Sequence, residues 1–364
     1  MELKAEALER YLSKVFGGRA SIIHLQPLGV AVKDADALKA YGYGIPLRID
    51  LEVEGEPHSV VVNTIKPGGF GHERMADRAA ILLWQSKAFN KLPRHVRALD
   101  IGAFTHDGSA ISLGECEELF LLTDLVGGRE YFHDLDRIRD SGRLSQLDLE
   151  RCRALAHYLV EIHSVKRDEP ELYLRRIREL IGHSECIFGL TDSYPEEAEY
   201  IRAEELIEIE KRCIEWRWRL KHKTHRLSQV HGDFHPWNIL FREGVDFTLL
   251  DRSRGEWGEP ADDVSAMTIN YLFYSLQVNG DLSGPFRGLW EAFYRLYLDE
   301  TGDEELLEVI HPFYCWRALV IASPVWYPTL SLKVRRGLLN FARNILEVDA
   351  LNPWDIDPLL EEGP

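Results

Sequence analysis

One stretch constrains this chain more than any other: Val230-His231-Gly232-Asp233-Phe234-His235-Pro236-Trp237-Asn238-Ile239-Leu240, with Asp251 following thirteen positions after Asn238. As a pattern it is H-G-D-x-x-x-x-N, an apolar run, a turn signal at Glu243-Gly244, and a second apolar run, Phe247-Thr248-Leu249-Leu250, closed by the aspartate. Two short apolar runs around a glycine-containing turn predict a hairpin. Closing the hairpin brings Asn238 and Asp251 to its open end, facing one cleft. An amide oxygen and a carboxylate suit a hard cation such as Mg²⁺. Asp233 precedes the hairpin on a loop, within reach of a second substrate. A metal holding phosphates beside a carboxylate that orients a hydroxyl is the equipment of phosphoryl transfer.

The same residues resemble a known family. H-G-D-x-x-x-x-N with the later Asp is similar to the motif pair of the aminoglycoside phosphotransferase and choline kinase group, relatives of the protein kinases. The kinase elements H-R-D-x-x-x-x-N and D-F-G have the same offsets. Gly258-Glu259-Pro260-Ala261-Asp262-Asp263-Val264 resembles that group's G-x-P-x-x-D-L segment. The resemblance implies ATP as phosphoryl donor, Asp233 as catalytic aspartate, Asn238 and Asp251 as Mg²⁺ ligands, and Asp263 as a buried brace of the catalytic loop, with His231 also supporting it. Singly, Asp233 reads as a turn residue or helix cap and Asn238 as a hydrogen-bonding strand end; the joint spacing favours chemistry. His231, Asp233 and His235 also fit a metallophosphoesterase cluster, but that class needs a downstream G-N-H segment and none occurs.

The implied fold is α+β, bilobal and protein-kinase-like. A small N-terminal antiparallel β-sheet lobe with one helix is expected over residues 1–125, and a larger, mainly helical lobe over 126–364. The pattern upstream agrees with this. A helix over Glu2–Phe16 is followed by strands at Ala20–Leu25, Pro46–Glu54 and Ser59–Lys66, the second alternating as Leu47, Ile49, Leu51 and Val53. Lys66 closes the third strand on one face with Val62 and Thr64, and the resemblance has it holding nucleotide phosphates. Its acidic partner from the next helix, His72–Phe89, is Asp77, with Glu73 one turn earlier as the other candidate. Gly42 and Gly44 read as a turn rather than a phosphate loop. Phe120–Gly128 reads as a buried strand running into glycines, and in the resemblance it is the hinge between lobes, whose backbone at Asp124 to Val126 would meet a purine edge.

The later chain is helical. Leu149–Val165 carries a stripe of Leu149, Cys152, Leu155, Leu159 and Ile162. Pro195–His222 predicts one long helix in which Trp216 and Trp218 cover the core. Four more helices follow, Ser265–Val278, Gly284–Thr301, Glu304–Ala322 and Leu330–Val348. Arg252 and Arg254 depart from the family pattern after Asp251 and read as exposed loop charges.

A net charge of −17 argues against nucleic acid as a ligand, since phosphate contacts need a basic surface, and as a weak guide it favours a cationic acceptor. The five cysteines are scattered without C-x-x-C spacing, which predicts a reducing compartment and no zinc site. The charged start lacks a signal-peptide stretch, and Ala318–Leu330 is too short and too Pro-broken to span a bilayer. These features predict a cytoplasmic location and no membrane partner. The expected function is transfer of the γ-phosphoryl group of ATP to a hydroxyl of a small molecule such as an amino sugar, amino alcohol, homoserine or sugar. The alternatives are an atypical protein Ser/Thr kinase of the same fold and a non-catalytic nucleotide-binding regulator.

Overall fold

The computed structural model describes residues 4–27, 46–68 and 71–362; Gly42, Gly44 and Gly69 lie outside them. The chain divides into two compact units, Met1–Thr123 and Asp124–Pro364.

In the first unit, α1 (Ala5–Phe16) is stopped by Gly17 in the left-handed conformation. Its Leu8 and Leu12 pack on an antiparallel sheet of β1 (Ala20–Pro27), β2 (Leu47–Val53) and β3 (Glu56–Val62), with β2 central. The two-residue period of β2 sends Ile49, Leu51 and Val53 into that small core. β3 ends at Val62, so Lys66 lies beyond the strand, exposed, and does not share a strand face with Val62 and Thr64. The reason is the ladder: Val62 pairs with Leu47, the first residue of β2, and no described strand remains for residues 63–66. α2 (Met75–Ala88) starts later than His72, because the Asp77 carboxylate accepts from the Arg74 amide at 2.8 Å and caps the helix there. β4 (Gly102–Phe104) and β5 (Ala110–Ser112) form a short hairpin.

The apolar run at Phe120 is not a buried strand. Residues 119–125 form no described strand, and Phe120 is 89% and Leu125 101% exposed. Short apolar runs carry no periodicity that separates a strand from a connection, and a strand needs a partner.

The second unit opens with β6 (Arg129–Glu130), α3 (Phe132–Ser141) and α4 (Gln146–His163). α5 (Pro170–Gly182), α6 (Ile187–Thr191) and α7 (Ala203–Leu220) follow. α7 begins well after Pro195, where Glu205 accepts from the Arg202 amide at 2.9 Å. Trp216 on α7 is core: it stacks on His311 at 4.1 Å and donates to the Leu346 carbonyl. Trp218, by contrast, is exposed and lies under the Lys221 ammonium. β7 (Ser228–Gln229), β8 (Ile239–Phe241), β9 (Phe247–Leu249) and β10 (Trp257–Gly258) lead into α8 (Pro260–Val278). α9 (Gly284–Thr301), α10 (Leu306–Val309), α11 (His311–Ala322) and α12 (Leu332–Asn344) complete it. The helix expected over Glu304–Ala322 is broken before Pro312, whose ring cannot continue the preceding helix.

α8 is the axis of this unit. It is buried on nearly every face, which its apolar sequence from Val264 to Leu276 demands. α3, α9, α11 and α12 pack around it. Burying a helix so completely fixes its N-terminal turn, and that turn carries Asp262 and Asp263.

Candidate active site

The hairpin forms in the expected register. β8 and β9 pair as Ile239↔Leu249, Leu240↔Thr248 and Phe241↔Phe247, and Gly244 supplies the positive φ of the turn. The Leu250 amide donates to the Asn238 carbonyl at 2.8 Å, so the ladder runs to the hairpin's open end and leaves Asp251 one residue beyond it. Asp251 is left-handed at φ 47°, an uncommon conformation for a residue with a side chain. One of its carboxylate oxygens accepts from the Ser253 amide at 3.1 Å.

The loop before the hairpin is clamped from α8. β7 pairs with β10 as Gln229↔Trp257 and Ser228↔Gly258, which brings the start of α8 beside His231. Asp263, fully buried, accepts from the His231 and Gly232 amides, both at 2.7 Å, and faces His163 Nε2 at 3.2 Å. Burial alone would raise its carboxyl; His163 and the loop amide overcome this and hold it below the usual range. Burial lowers the His231 imidazole, which therefore favours its neutral form. Glu259 caps α8 and is itself gripped by Arg226 at 2.8 Å and by the Tyr173 hydroxyl at 2.8 Å, all buried. Gly232 takes φ 85°, and a Cβ there would stand 3.2 Å from Arg254 Cβ. Glycine thus lets the loop after Asp251 close on the catalytic loop.

Asp233 is the meeting point. Its Oδ1 accepts from Arg317 at 2.8 Å, and its Oδ2 faces His235 Nε2 at 3.3 Å and Asn238 Nδ2 at 3.4 Å. The Trp237 amide donates to His235 Nδ1, and His235 Nε2 faces both Asp233 Oδ2 and, at 3.1 Å, the Asn238 amide nitrogen. Burial opposes ionisation of Asp233, but His235 and Arg317 outweigh it and hold the carboxyl far below the ordinary range. Asn238 also donates to the Asp233 carbonyl at 3.1 Å.

Sequence reasoning missed Arg317, on α11. Besides Asp233 it donates to Asp262 at 2.6 Å and lies over the Trp316 ring at 3.9 Å. Burial pushes the Asp262 carboxyl up to about 6, with Arg317 pulling the other way. Arg254, expected as an exposed loop charge, is instead largely covered, 4.5 Å over the same Trp316 ring and 4.0 Å from Asp233 Oδ1. Arg252 donates to the Val230 carbonyl at 2.7 Å and so ties the two loops. The only advance signal was an arginine in the otherwise apolar helical run from Phe313 to Ala322.

Lys66 and Asp77 belong to the first unit; His231, Asp233, Asn238, Asp251 and Asp263 belong to the second. Asp124 and Val126 lie on an irregular stretch at the start of the second unit, Asp124 exposed and Val126 half-buried. Among the described residues no group of three or more His, Cys, Asp and Glu side chains is gathered to hold a metal. None of the described helices is long and apolar enough to cross a membrane.

A loop clamped by a buried aspartate, an ionised aspartate on it, and an asparagine and aspartate at the end of the adjoining hairpin together define a phosphotransferase of the kinase kind. The model of the Phosphotransferase enzyme family matches residues 74–294, more than half of the chain, and the chain belongs to that family. With the family goes the protein-kinase-like, α+β fold. No curated protein matches the sequence. Among solved structures the chain is similar to an amicoumacin kinase in complex with AMP-PNP and Ca²⁺ (14% identity, TM-score 0.42, covering 92% of this chain and 91% of that one). It is also similar to a Plasmodium vivax ethanolamine kinase (16%, 0.39, 86% and 84%) and to a choline kinase from Cryptosporidium parvum (11%, 0.35, 90% and 87%). Likenesses this weak say nothing of the substrate.

Proposed function

We propose that the protein transfers the γ-phosphoryl group of ATP to a hydroxyl of a small molecule, with Mg²⁺ as the metal. The observation that carries the reading is the Asp263 carboxylate seated on both loop amides, which fixes Asp233 beside the open end of the β8–β9 hairpin.

The donor set fits the metal. Asn238 commits its amide nitrogen to Asp233 and His235, which leaves its side-chain oxygen as the ligand. Asp251 has one carboxylate oxygen on the Ser253 amide and offers the other. Two oxygen donors from the protein, completed by phosphates and water, is how Mg²⁺ is commonly held at such sites. When bound there, the ion neutralises charge on the transferring phosphoryl group. By the family resemblance we assign Lys66 and Asp77 to the nucleotide phosphates and the backbone at Asp124 to Val126 to the purine.

Asp233 orients the acceptor alcohol. Held far below its ordinary range, it is a feeble base, and in a loose transition state the proton leaves late, so aim counts for more than basicity. Arg317 takes Oδ1 and leaves it a lone pair for the acceptor, while His235 and Asn238 share Oδ2. His231 and Asp263 are positioning residues that act through the loop.

The test is coupled ADP release by the full chain over a panel of hydroxylated metabolites, with Mg²⁺ and with EDTA. Turnover that needs Mg²⁺ and an acceptor, and is lost in Asp233→Ala, is expected. Nucleotide binding without phosphoryl transfer to any acceptor would make it a regulator, and labelling of proteins alone would make it a protein kinase.

A further inference from the structure

The chain as a whole is acidic, but two arginines face Asp233 and its neighbour Asp262. Two guanidiniums, Arg317 and Arg254, converge on Asp233 Oδ1 at 2.8 and 4.0 Å, and His235 stands at 3.3 Å from Oδ2. Two Arg317 nitrogens are held by the Asp233 and Asp262 carboxylates. Arg254 has no such close pair. Its nearest acidic partner other than Asp233 is Glu185 at 3.7 Å, a side chain mostly in solvent, and its remaining contact is the Cys186 sulfur at 3.7 Å.

The Nε atoms of Arg254 and Arg317 are both buried without a hydrogen-bond partner. The Arg254 side chain nevertheless keeps 24% of its surface exposed, and its remaining N–H groups are open to an acceptor that arrives with the ligand. Both guanidiniums lie against Trp316, which is itself pinned by its indole N–H on the Glu185 carbonyl at 3.0 Å. Gly232 lets the Arg254 backbone close to van der Waals distance of the catalytic loop. The arrangement is cationic and backed by a flat ring, and arginine binds carboxylate and phosphate groups in pairs of parallel hydrogen bonds. With Arg317 engaged by Asp233 and Asp262, an ammonium brought to Arg254 would meet a like charge and an anion an opposite one.

We infer that the acceptor alcohol carries an anionic group, a carboxylate or a phosphate ester, which Arg254 binds while Asp233 aims the hydroxyl. This rests on the phosphotransferase reading of the same site and narrows its acceptor. The local charge thus opposes the cationic preference that the net charge of −17 suggests. Arg317 is a positioning residue, since it acts through Asp233. The reaction is the family's own: the acceptor oxygen bonds to the γ-phosphorus, the bond to the ADP oxygen breaks, and the hydroxyl proton leaves by way of Asp233.

The experiment compares matched acceptors that differ in charge: glucose, glucosamine, gluconate and glucose 6-phosphate, and glycerol, ethanolamine, glycerate and glycerol 3-phosphate. Each is given to the full chain with MgATP, and ADP release above the acceptor-free rate is measured. Turnover should favour the anionic members, and the carboxylate and phosphate arms separate the two sources of charge. Arg254→Ala should raise the acceptor KM on the order of tenfold to a hundredfold with the ATP KM within about twofold, and Arg254→Lys should fall between. If no compound is turned over, the same set is read by thermal midpoint with ADP and Mg²⁺ present. A rise with the anionic members that disappears in Arg254→Ala supports the inference, and no such rise overturns it. Preference for the neutral or amine members, or an Arg254→Ala effect on the ATP KM alone, also overturns it and leaves the phosphotransferase reading intact. Absence of any Mg²⁺-dependent nucleotide turnover or binding would instead remove that reading.

Discussion

Replacing Asp263 with asparagine should damage both stability and rate, and the size of each follows from three contacts. The carboxylate takes two backbone amides at 2.7 Å and His163 at 3.2 Å, with no solvent to substitute. Asparagine keeps one oxygen and turns an N–H₂ group toward the second amide. One charge-assisted hydrogen bond is lost, worth about 1.5–3 kcal/mol, and one buried N–H is orphaned at a further cost of about 1–3 kcal/mol. The loop can relax, so a net loss of about 3 kcal/mol is expected, read as a lowered urea midpoint. The freed loop carries Asp233, and a displacement of about 1 Å at a reacting group costs roughly a hundredfold in rate. Amide hydrogen exchange at His231 and Gly232 should accelerate in the variant, while a surface change such as Glu362→Gln leaves it alone. An Asp263→Asn protein with stability within about 0.5 kcal/mol of the parent, the usual range for surface substitutions, and unchanged turnover would refute the clamp.

Three further outcomes follow from the same geometry. Arg226→Ala strips the buried Glu259 and the half-buried Asp303 of their cation and should cost about 3–5 kcal/mol in urea unfolding. Gly232→Ala forces a side chain into φ 85° with its Cβ at 3.2 Å from Arg254, and should cost about 1–2 kcal/mol together with most of the ADP-release activity. Asp233 and Asp263 bind protons less readily folded than unfolded, so their stabilising share is complete above the unfolded-chain value of about 3.9 and is lost as pH falls through their folded values. Asp262, pushed up to about 6, works in the opposite sense, its share growing as pH falls from there. The difference between the parent and Asp263→Asn should therefore shrink in urea midpoints measured below about pH 4, offset in part by Asp262, whose carboxyl Asp263 helps to raise.

The sequence made some of this plain and hid the rest for physical reasons. The β8–β9 hairpin was legible because a glycine turn between apolar runs has few other solutions. The N-terminal turn of α8 was legible through the Gly258–Val264 pattern. Arg317 was not, because its contact with Asp233 joins residues 84 positions apart and nothing local to α11 announces it. Arg254 looked like loop charge because the aromatic ring that covers it comes from another helix. The third strand of the first unit was overextended past Val62, since β-type residues continue there after the partner strand has run out. The Phe120 run misled for the converse reason, apolar residues without a described ladder.

The most direct measurement is phosphoryl transfer from ATP in a single turnover by Asp233→Asn beside the parent chain, with nucleotide affinity determined separately. Transfer should fall by roughly 10² to 10⁴ while the affinity for MgATP stays within about twofold. A variant that transfers phosphate within tenfold of the parent rate, or that loses nucleotide affinity in step with its rate, would contradict the role given to this carboxylate.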